Sequence, residues 1–495
     1  MNQTPPSETA RCSAPDAACR AHRTIGSGRA RVALLCLLPA LLALLGPVAA
    51  QTPPPLLAEL IRSDDAATRG EAALLLGALK EDGARELLRT LRDDPDRTVR
   101  MRAVIALGAL AEPGVEAELG TVLENRDAEK SLREAAAYAL GSLPEGQPAP
   151  AVDHFLTRVQ GGSLRRWRDE VAALLAGFGR GRHPDRRAQI ESFLRDQSLR
   201  DAGLLAIAAR ALQRSGGHTD PTEILRLLRL EDQTLRTSLI EGLAAVSEPN
   251  EDLRSRIVDL ARSERDPVVR ASALRALRAK PLDRRTRELA ARALATGHPT
   301  LVEAAVEVLS GAGAEEDLAL VAGSLGKTSS LDFAILAGWQ GTPTQFVLDR
   351  CRKILAELDE ERTGDRLRAL ELLARARERE VEAELRRILA RGTDSAELRQ
   401  ALLSLRSFDA NADAITSFGS MADANKTRWT AVIEAVAAVD PSASRSLARD
   451  FFAGLKDASA EQVLEVLSTW RRVAFPPPQP TILAGLSAEL ALALR

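Results

Sequence analysis

The sequence predicts an all-α protein built as an α-solenoid, a stack of about 13 helical hairpins. Three observations carry that reading. Ala and Leu dominate a chain in which only 3% of residues are aromatic and Tyr138 is the one tyrosine. Such a mixture of helix formers, poor in β-branched and aromatic residues, favours helices over strands. A similar unit also returns about every 29 to 36 residues from Leu56 almost to the C-terminus, the mark of stacked supersecondary units. Finally, in its clearest copy, Asp96–Leu110 (DRTVRMRAVIALGAL), residues Val99, Ala103, Ala106, Leu107 and Leu110 fall on one helix face.

Residues 1–50 stand apart. Arg29 and Arg31 precede the apolar run Val32–Leu45 (VALLCLLPALLALL), and Gly46–Ala50 closes it with small residues. Basic flank, short apolar core and small-residue site are the order of a secretory signal, with cleavage expected between Ala50 and Gln51. The run falls short of the roughly 20 apolar residues of a spanning helix. The long leader before it leaves a second reading open, an uncleaved membrane anchor over residues 32–50. Cys12, Cys19 and Cys36 lie upstream of the cut, so Cys351 alone would remain, inside a helical pattern that favours its burial. Taking away the five arginines and two acids of residues 1–50 leaves 62 basic and 67 acidic residues, a net charge of −5. A mature chain of that charge lacks the basic footprint of a nucleic-acid binder.

Residues 51–475 read as paired helices whose second members carry the signal: Ala67–Leu79, Thr98–Leu110 and Ser131–Leu143, then weaker copies at Trp167–Gly179, Ser198–Arg210, Thr234–Val246, Val268–Lys280 and Leu301–Gly313. Asp365–Ala376, Glu397–Ser407 and Lys426–Ala438 follow. Ala103 and Gly108 are small enough to let neighbouring helices approach closely. Asp94–Pro95, Asp266–Pro267 and His298–Pro299 stand where helices start, because Asp suits an N-cap and Pro the first turn. The pattern breaks at Gly323–Pro343, read as a kink or as a loop exposing Trp339. It breaks again at Phe475–Pro480 (FPPPQP), whose prolines cannot be helical. Residues 476–495 thus form a proline-rich break and a last apolar helix, expected to cap the end of the stack.

Asp94–Leu110 and Asp266–Leu277 (DPVVRASALRAL) resemble HEAT repeats of the bacterial HEAT-like type found in relatives of bilin lyases: an Asp-Pro turn, Val-Arg, then Ala and Leu-Gly positions. The resemblance covers residues 56–470. It implies a solenoid that binds other proteins, with the second helices lining a concave face. Some relatives of this type are enzymes, lyases and metal-dependent hydroxylases. The His-Glu pairs of those hydroxylases are absent here, since none of the five histidines is followed by Glu.

The remaining candidates are few. An arginine recurs early in the second helices, as Arg69, Arg100, Arg133, Arg200, Arg236, Arg270 and Arg399. It reads as a ladder of ion pairs to acids in its own turn or the next repeat, or else as a row of anion sites at helix N-termini. The basic loop Arg180, Arg182, Arg186 and Arg187 could meet an acidic partner or simply be solvated. Trp339, with Trp167, Trp429 and Trp470, is a candidate interface anchor. GSLGKT (Gly323–Thr328) is no phosphate loop, because Val321 stands where the first glycine is required. No catalytic residue, metal ligand or cofactor is predicted. The expectation is an exported, non-catalytic scaffold for protein partners, with no nucleic-acid or small-molecule ligand; the alternatives are a HEAT-like enzyme or a membrane-tethered adaptor.

Overall fold

The computed structural model describes residues 55–80, 83–145, 150–159, 164–243, 251–278, 282–357, 363–419, 426–440, 442–444, 446–447 and 460–495. The predicted leader and the Ala50–Gln51 cleavage site lie outside the described residues. All regular structure among the described residues is helical. The helices alternate. First helices are α1 (Pro55–Leu60), α3 (Ala84–Leu91), α5 (Val115–Glu124), α7 (Pro150–Arg158), α9 (Arg187–Arg195), α11 (Pro221–Leu227), α13 (Glu251–Ser263), α15 (Arg284–Ala295), α17 (Glu315–Ala322), α19 (Gln345–Glu357), α21 (Arg379–Arg391) and α23 (Asn411–Gly419). Second helices are α2 (Ala66–Leu79), α4 (Arg97–Leu110), α6 (Lys130–Gly141), α8 (Arg168–Gly181), α10 (Ala202–Arg214), α12 (Gln233–Leu243), α14 (Pro267–Ala276), α16 (Pro299–Ala312), α18 (Ser329–Gly338), α20 (Thr363–Arg375), α22 (Ser395–Leu405) and α24 (Lys426–Ala437). Then come α25 (Ala460–Ala474), α26 (Pro480–Leu483) and α27 (Ala488–Leu494).

Each second helix packs on the second helices before and after it, and the first helices lie outside them. Val99, Ala103, Ala106, Leu107 and Leu110 are all buried, as their spacing requires. The glycine of the repeat explains how closely these helices sit. A Cβ at Gly77 would stand 2.4 Å from the Ala106 carbonyl oxygen, and one at Gly108 would stand 2.7 Å from the Ala139 Cβ. Gly141 and Gly177 face each other across α6 and α8 in the same way, and Gly338 presses on the Glu303 carbonyl. The Leu-Gly signature therefore marks the crossing point of consecutive inner helices.

The starts of the helices depart in one detail from expectation. Asp266 caps α14 through the Val268 and Val269 amides at 2.8 and 3.1 Å. The cap of α4, however, is Asp96, which accepts from the Val99 amide at 3.0 Å. Asp94 is freed for other partners, and His298 makes no side-chain cap.

The stretch Gly323–Pro343 is neither a kink that interrupts the inner layer nor an exposing loop. Gly323 and Gly326 belong to the turn before α18, Gly338 ends that helix and Gly341 follows it. Gly326 takes a left-handed φ of 81° and donates its amide to Asp332 at 2.7 Å. Buried Asp332 also accepts from Arg350, at 2.8 Å from Nε. α18 then continues the inner layer between α16 and α20.

The inner layer does not end. α25 follows α24 and packs on α2, so the second helices from α2 to α25 form a closed cycle of neighbours. The segment beyond it does not cap a stack end. α27 rests on α4 and α6, on the inner side of the first repeats.

Candidate interaction surface: the inner face and its C-terminal occupant

Phe475–Arg495 lies along α4, α6, α8 and α10, each of which grips it with a polar side chain. Arg97 donates to Glu489 at 3.2 Å. Arg102 donates through Nε to the Ala493 carbonyl at 3.1 Å. Glu134 accepts the Ser487 hydroxyl, which also caps α27 by accepting from the Leu490 amide. Arg168 holds the Gly485 carbonyl at 2.9 Å, and Arg180 holds the Pro476 carbonyl at 2.8 Å. Arg210 donates to Gln479 at 2.8 Å. Beneath these bonds Ile482, Leu490, Ala493 and Leu494 are buried, while Leu492 is exposed.

At the closure the charges are buried. Glu71 on α2 receives Arg102 at 2.9 Å and Arg471 of α25 at 2.7 Å. Arg471 also donates to the Arg495 carbonyl. One carboxylate thus joins α2, α4, α25 and the C-terminal segment. Burial lowers the Arg102 pKa against the attraction of Glu71. Burial likewise raises the Glu134 pKa, outweighing the Ser487 hydroxyl and Lys130. Glu71, Arg102, Glu134 and Arg471 were not singled out in the sequence. They occupy ordinary helical positions, and the only signal is a charge inside an apolar face: Arg102 in α4 falls between Met101 and Ala103, both buried, at the same place in its copy as Glu71 in the preceding one.

Farther round, the described part of the same inner band is partly open to solvent. Arg210 also pairs with Glu241 on α12 at 3.1 Å. On α14, Arg275 pairs with Glu307 at 2.7 Å and Glu303 at 3.6 Å, both from α16. The Glu241 and Glu303 side chains are 47% and 41% exposed, which leaves their charge facing solvent.

The recurring arginines divide. Arg69 makes a bidentate pair with Asp94 at 2.8 and 2.9 Å and also binds the Ser63 and Asp64 carbonyls of its own turn. Arg100 with Glu129, Arg133 with Glu170 and Arg236 with Glu264 repeat this arrangement, tying a helix's own turn to the next repeat. Among the described residues Arg200, Arg270 and Arg399 form no such pair. Burial works to raise the Asp94 pKa, but Arg69 and the Asp96 amide outweigh it and hold the carboxyl below its ordinary value.

The expected interface residues are placed differently. Trp339 is fully buried, not an exposed anchor: it follows α18 directly, meets Phe346 edge-on at 5.9 Å, and its carbonyl accepts from Arg368. Trp167, Trp429 and Trp470 are buried as well. In the basic loop, Arg186 is buried against Asp153 and Arg187 donates to the Ser215 carbonyl at 2.7 Å, so both join repeats rather than face a partner. Arg180 stacks over Phe475 at 3.9 Å and serves the C-terminal segment. Arg182 alone of the four is exposed. Cys351 is buried and its thiol is pushed up to about 12, a poor nucleophile. No group of three or more His, Cys, Asp or Glu side chains suited to a metal ion occurs among the described residues, and no helix among them is long and apolar enough to cross a membrane.

A family model for HEAT repeats matches residues 53–141 and 90–176. No curated protein matches the chain. The chain is similar to the complex of CpcE and CpcF of phycocyanin lyase from Nostoc sp. PCC7120, with 24% identity, 49% of this chain and 94% of that chain covered, and a TM-score of 0.30. It is also similar to a homology model of the full-length AP-3 complex in an intermediate open conformation, with 13% identity, 85% and 90% covered, and a TM-score of 0.37. The HEAT match runs from α1 into α8, and paired helices continue beyond it: the chain is an all-α solenoid that carries HEAT repeats.

Proposed function

We propose that this protein is a non-catalytic scaffold that binds protein partners on the inner face of its helix cycle, outside the cytoplasm. A HEAT-repeat solenoid fits a protein-interaction scaffold. The observation that carries the reading is the band Glu241–Arg275–Glu303–Glu307, open to solvent at Glu241 and Glu303, which continues from Arg210 the surface already gripping a segment of the chain itself. Mixed charge of this kind favours selective, steered contact over adhesion, since like charges on a wrong partner repel. The leader supports work outside the cytoplasm; a mature N-terminus at Gln51 is expected, and peptides spanning Cys12 to Cys36 recovered from the mature protein would contradict it.

The test places a photo-crosslinking amino acid at Glu303 or Arg275 on the inner band and, as controls, at Glu191 or Arg195 on the outer helix α9. Protein adducts in living cells from the inner positions, and none from the outer ones, are expected. Adducts from the outer positions alone would move the partner surface away from the inner face.

A further inference from the structure

We propose that the inner face of α4 to α10 is a peptide-binding groove, that Phe475–Arg495 fills it in cis, and that its ligand in trans is a segment of the same pattern. That pattern is a proline-rich lead, a glycine at a tight crossing, then a hydroxyl-capped short apolar helix. The proposal deepens the scaffold reading and rests on it, because it names the partner class for one part of the inner face.

The way the segment is held argues for a groove rather than a fixed part of the core. Arg102, Arg168 and Arg180 donate to the backbone carbonyls of Ala493, Gly485 and Pro476. Carbonyls are supplied by any chain, so these arginines recognise backbone and not one sequence. Selectivity comes from a smaller set. Glu134 takes the Ser487 hydroxyl and Arg97 takes Glu489. At Gly485 a Cβ would stand 2.7 Å from Ile207 Cδ1, so a larger residue there has to displace the Ile207 side chain. Below lies an apolar floor that receives Leu490 and Leu494.

The segment is also poorly able to stand alone. Pro476–Pro478 give it no helical continuity with α25. α26 and α27 span only Pro480–Leu483 and Ala488–Leu494, far below the length at which an isolated helix persists in water. It folds on the groove as a bound peptide does. A competing peptide meets a site whose open fraction sets its apparent affinity.

The test is fluorescence anisotropy of a labelled peptide of sequence 475–495 with the full chain. Wild type is compared with Leu490→Asp, which removes the apolar anchor, and with Gly485→Leu, which clashes with Ile207. Both variants should bind the peptide at least about tenfold more tightly than wild type, whose groove is closed. Variants that stay folded by circular dichroism yet bind no better than wild type would overturn the proposal. A second measurement uses wild type alone: amides of 482–494 should exchange with deuterium through local opening, faster than those of Ala103–Leu107. Exchange of both only through global unfolding would also overturn it. Loss of peptide binding with inner-band adducts still formed at Glu303 would sink the groove and leave the scaffold standing.

Discussion

Glu71 is the residue on which the closure turns. Its carboxylate is the shared partner of two guanidiniums, Arg102 and Arg471, each nearly out of contact with water. Glu71→Ala would strand both. Removing one partner of a buried ion pair typically costs about 3–5 kcal/mol, and urea midpoints should show a loss of that order. A loss below about 1 kcal/mol would mean that solvent reaches the guanidiniums. Two carboxyls give opposite responses to pH. Asp94 has a lowered folded pKa, so its contribution is complete above the unfolded value of 3.8 and is lost as pH falls through the lower folded value. The stability gap between wild type and Asp94→Asn should therefore shrink below that pH. Glu134 has a raised pKa, so its contribution is complete below 4.5 and is lost as pH rises through the folded value. Lys130 on its own helix and Asp169 and Glu170 on α8 face it. Glu134→Gln, which cannot titrate, should remove that fall from a series of thermal melts.

At the scale of the element, the inner helices are spaced by their glycines. Gly108→Ala puts a methyl where Ala139 Cβ, Cα and carbonyl oxygen already lie within 3.0 Å. Overpacking of this kind costs about 1–3 kcal/mol, even though alanine is the better helix former. Unchanged or raised stability on calorimetry would show that the crossing has slack. The helices themselves were legible in the sequence, because apolar spacing and Asp caps are local signals. α18 was not. Its glycine-rich lead reads as a break, and only the fold shows Gly326 and Asp332 building a turn that returns the chain to the inner layer. The tryptophans misled for a related reason: aromatic content ranks interface candidates, but whether a solenoid buries an indole depends on the neighbouring repeat. The C-terminal segment was recognised as separate by its prolines. What it would lie against could not be read, since its partners sit in α4 to α10, hundreds of residues earlier in the chain. No local pattern links Ser487 to Glu134 or Glu489 to Arg97.

At the scale of the whole helix cycle, closure changes what a repeat protein ordinarily does. An open stack exposes two apolar ends, and these fray first. Here α25 covers α2, and the Arg102–Glu71–Arg471 link locks the junction. The first and last repeats should therefore melt together, with one transition by circular dichroism and by the fluorescence of Trp470 in α25. The most direct test that the C-terminal segment is seated on the inner helices joins Arg97 to Glu489, residues of α4 and α27 whose side chains meet at 3.2 Å. Both become cysteine in a chain whose native cysteines are serine, a short bis-maleimide is added, and tryptic peptides are sequenced. A crosslink between positions 97 and 489 within one chain, formed at high dilution, is the predicted result. No crosslink, or one formed only between two chains, would contradict the seating of the C-terminal segment on α4.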